Sequence, residues 1–169
     1  MCSLLWPNQK LIQAWIKEKE WDDEVTYNKE TNESVVDFKV DIDGQLFSTY
    51  IEGDEEKDWL SIYLYAPFNV KKNKEVEILK LFNRIHMNTY YGRFVLLDEG
   101  RIQYKQIVSV KGTDVGASLI ENMYGTAVFA FETWMDDLTE IALTKTTFDE
   151  WSDKQEATEN HSEDPPDQL

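Results

Sequence analysis

Val115, Leu119, Met123, Ala127, Phe131, Trp134, Leu138 and Ile141 recur at steps of four or three residues, so one apolar stripe runs along nearly eight turns of helix. A helix this long and this one-sided needs an apolar surface of similar length to lie on. Thr113 or Asp114 is placed to cap its start, and Gly125 is an internal cost of about 1 kcal/mol.

The matching surface is legible upstream as strands. Val36, Phe38, Val40 and Ile42 alternate with Asp37, Lys39 and Asp41, the period of a half-buried strand. Asp43-Gly44 supplies a tight hairpin turn and Leu46 to Glu52 the returning strand. Asp54 to Asp58 is a charged turn, and Trp59 to Ala66 a third strand closed by Pro67, which has no N–H for a ladder. Ahead of these, Leu11, Ile12, Trp15 and Ile16 make one face of a helix over residues 7 to 20, followed by a short strand at Val25 to Asn28. Val76, Leu79, Phe82, Asn83 and Ile85 to Met87 predict a second helix from about Lys74 to Thr89, capped by Asn73 and closed by Gly92. Phe94 to Leu97 and Ile102 to Val110 form a second hairpin around Asp98-Glu99-Gly100.

The order is helix, three-stranded antiparallel sheet, helix, two-stranded hairpin, long C-terminal helix. Strands come in blocks between helices, so the class is α+β, with two short sheets covered on one face. Residues 1–148 read as a single domain, and the acidic stretch 149–169 as a disordered tail. The apolar faces exceed what one small monomer covers, and self-association is the economical remedy.

Composition excludes several functions. With 17 Lys+Arg against 33 Asp+Glu, the net charge of −16 leaves little for a basic face, which argues against nucleic acid and against anionic lipid. No stretch approaches the ~20 apolar residues of a membrane span, and Ser3-Leu4-Leu5-Trp6 is too short and too early stopped by Pro7 to be a signal core. A lone Cys2 forms no internal disulfide, so a reducing, cytoplasmic setting is expected.

Chemistry is sparse. His86 and His161 lack a partner at metal-ligand spacing, and His86 reads as a helix-surface or interface residue. Nucleophile-elbow, phosphate-loop and zinc-protease motifs are absent. Placing Gly44 sixth in a calcium loop puts Lys39 and Tyr50 where carboxylates are required, so that reading fails. Gly112 to Gly116 reads as a loop with a helix cap, since Asp114 would repel a phosphate. Catalytic residues, metal ligands and cofactors are therefore all expected to be none, and the chain is not expected to be an enzyme.

Charge and aromatics carry the remaining signal. Residues 71 to 111 hold nine basic and four acidic residues, a net +5 set in a remainder of −21. Tyr and Trp favour interfaces, and Tyr63, Tyr65, Trp59 and Trp15 are the candidate partner-binding residues. Asn83 is expected to be buried and to tie the second helix to the Arg93-Phe94 strand, with Arg93 pairing an acid of the last helix.

The strings Leu81-Phe82-Asn83, Tyr91-Gly92-Arg93-Phe94 and Asp98-Glu99-Gly100-Arg101-Ile102 resemble the YbjN family of bacterial sensory-transduction regulators, over residues 7 to 146. Asn83, Gly92, Arg93, Phe94 and Gly100 are the positions carrying its structural motif, and Phe82 stands where Leu is commoner. The resemblance implies a fold similar to type III secretion chaperones: a small acidic α+β homodimer without catalytic activity. Such chaperones hold a partner's extended segment in apolar grooves on the sheet and first helix.

The expected function is thus a non-enzymatic, homodimeric protein-binding module, chaperone-like or regulatory, that holds a segment of an unknown partner protein. Two alternatives share the charge pattern. One is a regulatory domain binding an anionic ligand through residues 71–111, the other an immunity or antitoxin protein masking a basic partner.

Overall fold

The computed structural model describes residues 7–162. Helix α1 (Pro7–Glu18) precedes strands β1 (Thr26–Asn28), β2 (Glu33–Ile42), β3 (Gln45–Asp54) and β4 (Trp59–Asn69). After a 3-10 turn come α2 (Glu75–His86), β5 (Arg93–Leu96), a second 3-10 turn and β6 (Arg101–Ser109), then α3 (Ser118–Leu143) and α4 (Phe148–Ser162).

All six strands join one antiparallel sheet in the order β1-β2-β3-β4-β6-β5, so the two short sheets expected from sequence are one. The merger is made by β4, whose Trp59 to Tyr65 pairs with Ser109 to Gln103 on its far side. Periodicity marks each strand but carries no information about this long-range pairing. The α+β class stands, with α1 and α3 packed on one face of the sheet and α2 beside β5.

Alternation decides which face is covered. Leu60, Ile62 and Leu64 of β4 are fully buried under the helices, as are Phe47 and Ile51 of β3 and Ile102 and Tyr104 of β6. Phe131 of α3 is the hub, its ring 4.8 Å from Phe47 and 5.1 Å from Phe94, whose ring stacks on Phe82. A second aromatic cluster joins Trp15, Trp21, Phe38 and Tyr124, with centroids 5.0–6.1 Å apart between neighbours. The Trp15 indole donates to the Glu121 carboxylate at 2.7 Å, which also takes the Lys19 ammonium at 2.6 Å.

Helix ends are held by contacts that local capping rules do not anticipate. The first free amides of α1, Asn8 and Gln9, donate to the Glu55 carboxylate at 3.2 and 3.0 Å, so the β3–β4 turn caps α1 across the fold. Asn73 lies in the 3-10 turn and makes no side-chain cap for α2. Likewise α3 starts at Ser118 without a side-chain cap. The Thr113 hydroxyl is already spent on Val110 O at 2.7 Å, closing the preceding turn.

Residues 149–162 depart from the expected tail: they are the body of α4. Two aromatic anchors explain the order. Trp151 is buried, its indole donating to Asp137 at 2.7 Å, and its ring meets Phe148 at 5.5 Å. The Phe148 N–H donates to Glu77 of α2 at 2.7 Å, and Lys80 pairs Asp149 at 3.6 Å. Residues 163–169 lie outside the described residues.

Candidate protein-binding face

The sheet face opposite the helices is built by the other half of each alternation. On β4 it presents Trp59, Ser61, Tyr63 and Tyr65, and in register Tyr50 of β3 lies opposite Tyr63 while Gln103 of β6 lies opposite Tyr65. Tyr63 and Tyr65 are half-buried and Trp59 is 41% exposed. The rings hold one another: Tyr50 and Tyr65 meet edge-to-face at 5.6 Å, and the Gln103 amide donates to the Tyr65 hydroxyl at 2.7 Å.

Cations cover these rings. Lys105 lies 5.6 Å above Tyr63, Arg101 5.8 Å above Tyr65 and Lys57 5.6 Å above Trp59. Glu52 is half-buried between them, and desolvation first, then Glu33, raises its pKa against the opposing pull of the Tyr63 hydroxyl and Lys105. Burial likewise pushes the Tyr63 phenol up. The face is electrically divided, with Arg93, Arg101 and Lys105 on β5 and β6, and Glu33, Asp37, Asp41, Glu52 and Asp54 outweighing Lys39 on β2 and β3.

Among the expected site residues, Trp59, Tyr63 and Tyr65 thus share this face, but Trp15 does not. It is 1% exposed, because its helical position points under the sheet into the aromatic cluster with Trp21 and Tyr124. Asn83 is a second correction: it is exposed. Helix α2 carries two apolar stripes, and only Ile78, Leu81, Phe82 and Ile85 face the core. Val76 and Leu79, at 64% and 50% exposure, run along the outer side with Asn83 and continue to Met87 at 70%. Arg93 is exposed and makes no ion pair with α3 among the described residues.

The tie expected of Asn83 is made by His86. Its Nε2 accepts the Phe94 N–H at 2.9 Å, occupying an outward-facing amide of the edge strand β5. That acceptor role requires the neutral ring, and burial first, then the Arg93 guanidinium, lowers the His86 pKa. A group whose pKa is lower folded than unfolded adds no pH dependence above its unfolded value near 6.5, and costs stability as pH falls below it. Urea midpoints are therefore expected to fall between pH 7 and 5.5 more steeply in the wild type than in His86→Gln, which cannot titrate. Parallel profiles would remove this role.

Gly92 and Gly100 sit where the backbone is left-handed. Both have positive φ, +65° and +75°, and a Cβ on Gly92 would overlap the Tyr104 hydroxyl, which donates to Tyr91 O at 3.0 Å. Burial pushes the Tyr104 phenol up to about 12, so it stays a donor.

No group of three or more His, Cys, Asp or Glu side chains converges as a metal site among the described residues, and no helix among them is long and apolar enough to cross a membrane. The face offers edge-to-face phenols, a hydrogen-bonding amide and opposed charges.

Comparison with solved structures shows the same fold at low identity. The ExsC–ExsE complex is similar with a TM-score of 0.56 and 11% identity, covering 78% of this chain and 92% of that one. YbjN from E. coli gives 0.53 at 10% identity, covering 80% and 96%. The HopA1–SchA chaperone–effector complex gives 0.51 at 9% identity, covering 75% and 90%. No curated protein matches the chain. The family model described as "Putative bacterial sensory transduction regulator" matches residues 8–140, leaving the end of α3 and all of α4 beyond it. With that match spanning most of the described fold, the chain belongs to the YbjN family.

Proposed function

We propose that this protein is a non-enzymatic, cytoplasmic binding module, chaperone-like or regulatory, that holds an extended segment of another protein on its open sheet face. The observation that carries the reading is the tyrosine row on that face, where Tyr50, Tyr63 and Tyr65 lie between cationic and anionic strands. Rings of this kind offer large contact area at little cost in side-chain entropy. A fold neighbour described as a chaperone–effector complex supports a protein partner.

The module acts as a homodimer joined through the outer stripe of α2. Val76 and Leu79 are exposed on α2 and Met87 just beyond its end, and a second copy is the simplest cover for them. Residues 1–148 form the binding domain, and α4 braces α2 from its far side.

Light scattering and co-purification from the native host on two double variants test both parts. Trp59→Asp/Tyr63→Asp is expected to stay dimeric and to lose the co-purifying protein. Val76→Glu/Leu79→Glu is expected to become a folded monomer near 19.9 kDa. An unchanged set of co-purifying proteins for the first, with its circular dichroism intact, overturns the sheet-face reading. A persistent dimer for the second overturns the α2 interface.

A further inference from the structure

We infer that the free edge of β6 beside Arg93 and Lys105 is the docking site for an acidic, extended segment of a partner protein, added as a short strand in continuation of β5. The inference rests on the protein-binding reading above and gives that partner its chemistry.

Backbone geometry supplies the strand edge. β6 pairs with β4 as far as Ser109, but on its other side β5 stops at the pair Arg93–Lys105. The outer edge of Gln106 to Ser109 therefore has no strand partner among the described residues. Phe94 turns its N–H away from β6 toward His86, which makes Arg93–Lys105 the hydrogen-bonded type of pair. By alternation the backbone groups of Ile107 and Ser109 point to the same vacant side. Tyr90 and Tyr91, 95% and 67% exposed, flank a groove of about 300 Å³ along this edge, and Ile107 stands in it at 39% exposure.

Charge identifies the occupant. Arg93 and Lys105 stand directly opposite each other on adjacent strands, an arrangement of like charges that opposes pairing. Neither makes a salt bridge among the described residues, although acids outnumber bases 33 to 17 in the chain. In so acidic a protein a cation pair at a strand edge that no carboxylate of the described residues bridges is a site for carboxylates from outside. A second copy does not meet that need: two-fold pairing along this edge would gather four cations about one axis. A strand added here would satisfy the open amides and set every second side chain over the cations, the other set meeting Tyr90 and Tyr91.

A random 12-residue peptide library displayed on phage, selected on the full chain, tests the site. Enriched peptides are expected to carry net negative charge and to bind the wild type at least tenfold more tightly than Arg93→Glu. That variant is expected to melt no lower than the wild type, because Glu at 93 would face Lys105 and relieve the repulsion. Lys105→Gln is a second variant, with weakened binding expected. Bound peptide should also slow hydrogen exchange at the Ile107 and Ser109 amides at least tenfold.

Neutral or basic enriched peptides, equal binding to Arg93→Glu and Lys105→Gln, or unchanged exchange at Ile107 each overturn the proposal. So does an Arg93→Glu variant that drops from dimer to monomer, since the edge would then hold a second copy. Peptides lost by Trp59→Asp/Tyr63→Asp but kept by Arg93→Glu would leave the binding module standing and remove only this site. No enrichment over bare matrix removes both.

Discussion

Gly100→Ala is expected to lower the stability of this protein by about 3 kcal/mol or more, read as the shift of its urea midpoint. Gly100 has φ +75°, and a methyl group there would lie 2.1 Å from the Val70 carbonyl oxygen. That oxygen is backbone and cannot swing aside. It is held because the Val70 N–H donates to Gly100 O at 2.8 Å, so the start of the α2 connection is strapped to the β5–β6 turn. Two costs add: the left-handed conformation, about 1–2 kcal/mol for a residue with a Cβ, and the overlap or the broken strap that avoids it. Gly44→Ala separates them. Its φ is +78° with nothing within 4 Å, so only the conformational cost applies. If the two alanine variants unfold at the same urea concentration, the strap contributes nothing.

Phe131→Ala is expected to cost about 3–5 kcal/mol, a large share of a typical domain's total. Its ring is fully buried and touches Phe47 of β3 and Phe94 of β5, so its removal opens a cavity at the point where α3 spans the sheet. The effect should reach the binding surface, since β5 is only four residues long and depends on Phe94 and His86 for its anchorage. Phe129 is the control at 65% exposure, and its truncation should change stability by less than about 0.5 kcal/mol. A midpoint shift for Phe131→Ala as small as that of Phe129→Ala would show that the core closes without the ring.

Much of this was legible beforehand where the signal is local. The alternation from Val36 to Ile42 and the Asp43-Gly44 turn mark a hairpin that the structure contains, with both turn residues at positive φ. The glycines of the Tyr91-Gly92-Arg93-Phe94 and Asp98-Glu99-Gly100 strings were legible for the same reason, since positive φ is a property of single residues. Of the candidate binding residues, Trp59, Tyr63 and Tyr65 share a face because alternation along one strand fixes it.

Local spacing is ambiguous where two faces of one element carry the same period. In α2 the steps Val76, Leu79, Asn83 and Ile78, Leu81, Phe82, Ile85 are both helical stripes, and only packing against α3 and β5 decides which is inside. Residue type alone places Trp15 on a surface, whereas Glu121, more than a hundred positions away, satisfies its indole in the interior. The acidic composition of α4 concealed that two aromatics suffice to seat its first turn.

By itself the amino-acid order determined the period of each element, the turns that require glycine and the excess of negative charge, because these depend on neighbours along the chain. The tertiary structure alone decided that the strands form one sheet, that His86 rather than Asn83 closes its edge, and that Arg93 faces Lys105. Each of those is a meeting of residues from separate elements, set by which faces bury together, and no local spacing encodes it.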